Sequence, residues 1–111
     1  MNPETPLDLY CLCAAWCGTC RGYEQVLQAV AAQRPGVRIH WVDIEDQAER
    51  VGDVDVETFP TLLLAEAKVI RFFGPVLPHE ASVLQLLDRA HDWLVTDPEA
   101  THLLTRLRAA D

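Results

Sequence analysis

The sequence has no long apolar run and few cations. No apolar stretch approaches the roughly 18 to 20 residues that a membrane-spanning helix needs. The first residues carry neither the basic region nor the apolar segment of an export signal. Nine Lys and Arg residues stand against 17 Asp and Glu residues, for a net charge of −8, which argues against a surface that binds phosphates or anionic lipids. We therefore expect a cytoplasmic protein that binds neither nucleic acid nor a membrane.

The chain also shows no internal repeat, low-complexity tract or linker. Its 111 residues, half of them hydrophobic, are enough for one compact core and too few for two domains. We expect a single domain over residues 1–111, with a core at about 7–94 and a C-terminal helical extension at about 97–110.

The four cysteines are not dispersed, as they would be in a disulfide framework. They are Cys11, Cys13, Cys17 and Cys20, all within ten residues, so they cannot join distant parts of a fold. In a reducing compartment, disulfides tend to be transient and catalytic. The cluster therefore points to chemistry at one place.

The hydrophobic pattern alternates between strands and helices. A nearly continuous apolar run predicts a buried strand, helical spacing follows from about residue 18, and strand-like and helical segments then succeed one another. The predicted order is strand (Leu7–Cys13), helix (from about Gly18), strand (Val37–Ile44), short helix (Glu45–Val51), two antiparallel strands (Leu62–Leu64 and Val69–Phe73) and two helices (about Val83–Leu94 and Pro98–Ala109). This order predicts an α/β architecture.

Cys17 and Cys20 lie where the first strand gives way to the first helix, in the motif Trp16-Cys17-Gly18-Thr19-Cys20. Two intervening residues at a helix start bring the sulfurs close enough to bond. The unpaired N–H groups of the first turn and the helix dipole favour thiolate at the first cysteine. Cys17 is therefore the predicted nucleophile and Cys20 the resolving thiol.

This motif, between a buried strand and a helix, resembles the thioredoxin family, and the resemblance runs from about Leu7 to Leu94. Phe59-Pro60-Thr61 before an apolar strand is similar to the family's cis-proline loop, and Gly74 lies where family members keep a glycine near the substrate. The resemblance implies a substrate groove formed by Trp16, Gly18, Thr19, Phe59, Pro60 and Gly74.

The departures from the family are equally specific. Only 16 residues precede Cys17, so we expect the family's usual N-terminal strand-helix unit to be missing. We expect a minimal thioredoxin-like fold, with a four-stranded mixed sheet, helices on both faces and an extra C-terminal helix. Cys11 stands where the family has a buried aspartate, and Trp41 replaces its lysine partner. The resemblance therefore supplies no proton relay for Cys20.

Cys11 and Cys13 alternate onto one face of the predicted strand, and a buried free cysteine usually packs as a small hydrophobe. Core packing is the favoured interpretation of both, with auxiliary thiol chemistry, above all at Cys11, as the alternative. Trp41 and Trp93 are also expected in the core. The four histidines are scattered and predict no metal site.

The expected function is a thiol–disulfide oxidoreductase, a protein disulfide reductase or isomerase, that cycles Cys17 and Cys20 between dithiol and disulfide. The resemblance implies no bound cofactor, protein or small disulfide substrates, and a reductase or dithiol protein as electron donor. The protein is expected to be a monomer or homodimer. Two alternatives remain open at this point: a non-enzymatic binding module of the same fold, and a zinc site on all four cysteines.

Overall fold

The computed structural model describes residues 7–13, 18–44, 61–76 and 79–109, without the side chains of residues 18, 19 and 91. The strands are β1 (Leu7–Cys13), β2 (Val37–Asp43), β3 (Thr61–Glu66) and β4 (Val69–Pro75), and the helices are α1 (Gly18–Gln33), α2 (Glu80–Arg89), a 3-10 turn (Ala90–Asp92) and α3 (Pro98–Ala109). The short helix predicted at Glu45–Val51 lies outside the described residues.

The four strands form one mixed sheet in the order β2-β1-β3-β4. β1 pairs in parallel with β2, which it reaches through the crossover helix α1, and antiparallel with β3. β3 and β4 form the antiparallel hairpin that the sequence predicts, with Ala67 and Lys68 between them. The expected four-stranded mixed sheet is confirmed.

One face of the sheet packs against α1 and α2. Alternate residues of β1 and β3 point to this side, as the period of two in a strand requires, and helical residues three or four apart meet them. The main members of this core are Leu9, Cys11, Cys13, Cys20, Tyr23, Leu27, Val30, Leu62, Leu64, Val83 and Leu87.

The opposite face packs against α3. Its strand residues, which alternate with those of the first core, meet the apolar stripe of that helix; the main members are Tyr10, Leu12, Val42, Leu63, Ala65, Ile70, Ala100, Leu103, Leu104 and Leu107. The helix begins at Pro98, where Asp97 Oδ1 accepts a hydrogen bond from the N–H of Glu99 at 3.0 Å. The C-terminal helix therefore covers a sheet face, so helices lie on both faces as expected.

Two predictions about individual apolar residues were wrong. Leu94, predicted as the last residue of the second-last helix, lies beyond the end of α2 and is 66% exposed. Trp41, expected in the core, is 37% exposed. Trp41 belongs to the edge strand β2 and lines a cavity between this strand and α1, so the helix covers its indole only in part. Trp93 is half-buried against the first core.

The strand register decides which ends of the strands meet. Leu12 faces Thr61, Thr61 faces Pro75, and Leu62 lies between Cys11 and Gly74. Three strand ends therefore lie at the same end of the sheet: the end of β1, the beginning of β3 and the end of β4. The helix α1 also begins at this end of the sheet, after residues 14–17.

None of the helices described is both long and apolar enough to cross a membrane.

Candidate active site

Cys20 forms a disulfide with Cys13 in the structure, and their Cα atoms are 5.8 Å apart. Cys13 is the last residue of β1 and Cys20 lies in the first turn of α1. The chain reverses between these two elements, which brings the two residues side by side despite a sequence separation of only seven. Both are buried, with 0% and 1% of their surfaces exposed.

Cys11 lies next to this disulfide, with its Sγ 3.8 Å from Sγ of Cys13. It is not part of a disulfide, and burial raises the pKa of its thiol to about 12. Cys11 therefore stays protonated at neutral pH. The expectation that Cys11 and Cys13 pack as free thiols in the core agrees with the structure for Cys11 and disagrees for Cys13.

Tyr23 of α1 is buried in the same core as Cys11, Cys13 and Cys20. Burial first, and the nearby Cys11 sulfur second, raise the pKa of its phenol. Its hydroxyl has no hydrogen-bond partner within the described part of the chain. The surroundings of the three sulfurs are therefore apolar, with no described base against them.

Cys17, the predicted nucleophile, lies outside the described residues. The helix α1 begins at Gly18, the next residue in the sequence, so the predicted helix start lies at the motif. Gly18 and Thr19 belong to the first turn of α1 together with Cys20, whose side chain points into the core. The sequence predicts a disulfide between Cys17 and Cys20, whereas in the structure Cys20 forms its disulfide with Cys13.

Gly74 is the third predicted groove residue that the structure describes, besides the backbone of Gly18 and Thr19, and it is half-buried in β4. A Cβ atom added there would meet Phe72 ring carbons at 3.6 and 3.9 Å, which is ordinary van der Waals contact. The fold itself therefore leaves room for alanine at this position. Trp16, Phe59 and Pro60 lie outside the described residues, although Pro60 directly precedes Thr61, which begins β3 at the edge where β1 ends.

Sequence reasoning missed the pairing of Cys13. Its position at the end of the first strand was visible, and so was the helix start that carries Cys20. However, the period-two pattern that places Cys13 on the core face also fits simple packing. Only the packing of α1 on this face of the sheet shows that Cys20 is the residue next to the Cys13 sulfur.

It also missed a charged cluster at the other end of β1. The buried carboxylate of Asp8 accepts hydrogen bonds from Arg38 at 2.8 and 3.0 Å, from Arg108 at 2.8 Å, and lies 3.1 Å from Nε2 of His40. Burial by itself raises the pKa of Asp8, but the hydrogen bonds from Arg38, His40 and Arg108 outweigh it and hold the pKa below its usual value. The imidazole of His40 also stacks on Tyr10.

The described surface cavity lies apart from the sulfurs. A cavity of about 400 Å³ between α1 and β2 is lined by Glu24, Leu27, Gln28, Ala31, Ile39 and Trp41, with no cysteine among them. Within the described ranges, no three His, Cys, Asp or Glu side chains are grouped so that they could hold a metal ion. Two of the four sulfurs that the zinc alternative needs are bonded to each other.

Comparisons with known proteins agree with this architecture. Residues 6–76 match the family model of thioredoxin. A curated relative, the thioredoxin of Chlamydia trachomatis serovar D, is 41% identical over 51 residues, which make up 46% of this chain and 50% of that protein. The chain thus spans about half the length of the curated relatives it matches.

Solved structures show the same fold. The thioredoxin of Fasciola hepatica superimposes with a TM-score of 0.69 at 22% identity, covering 78% of this chain and 83% of that one. The thioredoxin of Trypanosoma brucei brucei gives a TM-score of 0.66 at 24% identity, with 80% and 78% covered. The similarity in backbone therefore extends well beyond the segment that is similar in sequence.

Proposed function

Because the chain belongs to the thioredoxin family, we propose that it is a thiol–disulfide oxidoreductase that reduces or rearranges disulfides through Cys17 and Cys20. The single observation that carries the proposal is the position of Cys20 in the first turn of a helix that begins directly after Cys17. In that position the backbone N–H groups of the turn favour a thiolate on the preceding cysteine.

In the proposed cycle, the Cys17 thiolate attacks a substrate disulfide and forms a mixed disulfide with one substrate sulfur. Cys20 then attacks Cys17, and the second substrate thiol leaves. The products are a reduced substrate and a Cys17–Cys20 disulfide, which a reductase or dithiol protein returns to the dithiol. This exchange between thiols uses no bound cofactor.

The substrate groove of the proposed enzyme combines Trp16, Gly18, Thr19, Phe59, Pro60 and Gly74. The strand register supports this set, because it brings the end of β4, with Gly74, to the edge where β1 ends and β3 begins. Phe59 and Pro60 directly precede β3 in the sequence. We propose protein or small disulfides as substrates, and the cytoplasm as the location, because clustered thiols fit a reducing compartment.

Substitution of the two motif cysteines tests the mechanism. Cys17→Ser should abolish reduction of a protein disulfide such as insulin, with dithiothreitol as the electron donor. Cys20→Ser should accumulate a mixed disulfide between Cys17 and the substrate, visible by mass spectrometry. Cys11→Ser is the matched control, since its buried thiol is assigned to packing. Full activity of Cys17→Ser would contradict the mechanism.

One observation favours a second function, that of a non-enzymatic binding module. Cys11 stands where the family has a buried aspartate, and its protonated thiol, with a pKa of about 12, offers Cys20 no general base. Turnover without that help is expected to be slow. A protein that fails to reduce insulin while it copurifies with one partner would support the binding function.

A further inference from the structure

The described sulfurs suggest that three cysteines, rather than two, take part in the redox chemistry. Cys20 is the predicted partner of Cys17 by sequence and the observed partner of Cys13 in the fold. We propose that Cys13 is the third redox-active cysteine of the site and that, by disulfide exchange, it replaces Cys17 as the disulfide partner of Cys20. This inference rests on the proposed function, because Cys17 must first form its disulfide with Cys20.

The geometry that allows this exchange is set by the core. Cys13 ends a strand that is buried throughout and paired on both sides. Cys20 belongs to the buried face of α1, with Tyr23 and Leu27 one and two turns further on. Their Cα separation of 5.8 Å lies inside the range of roughly 4.4 to 6.8 Å that disulfides adopt. Packing thus holds Cys13 within bonding reach of Cys20.

The exchange step balances without an external oxidant. Cys13, as its thiolate, attacks Sγ of Cys20 in the Cys17–Cys20 disulfide. The Cys13–Cys20 bond forms, the Cys17–Cys20 bond breaks, and Cys17 leaves as a thiolate. The proton lost from Cys13 passes to solvent or to Cys17. One disulfide is present before and after the step, so no electrons are gained or lost.

Burial determines how the new disulfide can be used. With 0% and 1% exposure, neither sulfur offers a surface to a protein reductant. The reverse attack, by Cys17 on Cys20, is therefore the route by which the inner disulfide is reopened. Burial also disfavours a thiolate on Cys13, so the Cys13–Cys20 bond should form after the Cys17–Cys20 bond and more slowly.

The two remaining groups at the cluster have no part in the exchange. Cys11 lies close to Cys13, but the sulfur bonded to Cys20 is that of Cys13, and Cys11 remains a free, buried thiol. Tyr23 lacks a described hydrogen-bond partner and, with its own raised pKa, is no base at neutral pH. The consequence of the exchange is an oxidised protein in which Cys17 is a free thiol without a resolving partner.

The experiment uses the full chain and the position of Trp16 in its sequence. Protein is oxidised in glutathione buffers, sampled over time, unfolded in the presence of excess alkylating reagent so that every free thiol is blocked, and cleaved with chymotrypsin, which cuts after Trp16. A Cys17–Cys20 disulfide stays inside the fragment that follows Trp16. A Cys13–Cys20 disulfide instead links that fragment to the one before it and leaves Cys17 alkylated. Mass spectrometry separates the two products.

In the wild type we expect the internal disulfide first and the linked product later, both reversed by excess dithiothreitol. Cys13→Ala should lose the linked product and the alkylation of Cys17 in oxidised protein. Cys11→Ala, which truncates a buried thiol on the same strand face, should keep both. Parallel circular dichroism spectra would show that each variant is folded.

Three results would overturn the inference. These are the absence of the linked product from oxidised wild type, a linked product that resists dithiothreitol in folded protein, and the loss of Cys17 alkylation in Cys11→Ala as well as in Cys13→Ala. The proposed function fails separately, through insulin-reducing activity in Cys17→Ser. A Cys17→Ser variant without activity, together with a wild type without the linked product, would overturn the three-cysteine inference alone.

Discussion

Arg108, near the end of α3, donates a hydrogen bond from Nη2 to Oδ2 of Asp8 at 2.8 Å, across 100 residues of sequence. Arg108 also donates to the carbonyl oxygen of Ala67, in the turn between β3 and β4. One side chain thus ties the last helix to the first described strand and to the hairpin. These contacts lie at the end of β1 opposite Cys13, so the polar contacts of Asp8 and the cluster of Cys11, Cys13 and Cys20 occupy opposite ends of this strand.

The buried carboxylate of Asp8 should make stability depend on acid. Its pKa is lowered in the folded protein, so its stabilising contribution is present above the unfolded pKa of about 4 and is lost as the pH falls through the folded pKa. Asp8→Asn should lower the free energy of unfolding by about 1–3 kcal/mol at pH 7, because charged hydrogen bonds are lost. The deficit should shrink towards pH 2 in urea titrations.

Asp88→Asn is the matched control for that substitution. Asp88 pairs with Arg34 at 3.0 Å, but both side chains are substantially exposed, and exposed pairs contribute about 0–1 kcal/mol. We expect little change at any pH. An Asp8→Asn deficit that is the same at pH 7 and pH 2 would contradict the role assigned to the Asp8 charge.

Truncation of a leucine should lower the free energy of unfolding in α3 but not in the segment before it. Leu103 is fully buried between α3 and the sheet, whereas Leu94 is 66% exposed. Leu103→Ala should therefore cost about 2–5 kcal/mol through lost burial and a cavity, and Leu94→Ala should change stability by less than about 0.5 kcal/mol. Equal costs in thermal or urea unfolding would show that α3 does not complete the second core.

The hairpin turn between β3 and β4 contains an alanine whose replacement by glycine should not destabilise the protein. Ala67 has a φ of 54°, a left-handed conformation that costs an L-residue about 1–2 kcal/mol, while glycine adds about 0.5–1 kcal/mol of chain entropy on unfolding. Ala67→Gly should leave stability unchanged or raise it by up to about 1 kcal/mol. Its carbonyl, the acceptor for Arg108, is retained.

Lys68 is the next residue of the same turn, and its φ is not positive. Lys68→Gly therefore relieves no backbone strain and should destabilise the protein through the added chain entropy of the unfolded state. Comparing the urea midpoints of the two variants tests this reading of the turn. A midpoint that falls in Ala67→Gly as far as in Lys68→Gly would refute it.

Gly74→Ala tests the proposed groove without disturbing the fold. Because an added Cβ meets only ring carbons of Phe72 at ordinary contact distance, the unfolding midpoint should change little. If a substrate strand lies against Gly74, kcat/KM for insulin reduction should fall about tenfold, equivalent to roughly 1.4 kcal/mol of transition-state binding. Gly36→Ala, in open space in the turn before β2, should keep full activity. Unchanged kinetics in Gly74→Ala would exclude Gly74 from the groove.

Much of the fold was predictable because local periodicity and burial coincide in this chain. The strand predicted at Leu7–Cys13 and the last helix predicted at Pro98–Ala109 both have the same bounds in the structure. Leu94 and Trp41 were misplaced because apolar character does not show where a helix ends or how far a neighbouring helix covers an edge strand. Asp8 looked like an interruption of an apolar run, since its cationic partners come from β2 and α3.

The order of strands and helices, the clustering of the thiols and the motif that starts α1 can be predicted from residue spacing, because each is a local property of the chain. The pairing of Cys13 with Cys20, the free buried thiol of Cys11 beside them, and the convergence of Arg38, His40 and Arg108 on Asp8 arise only when the elements pack together. Those relationships depend on strand register and on the direction in which α1 and α3 pack, which neighbouring residues in sequence do not specify.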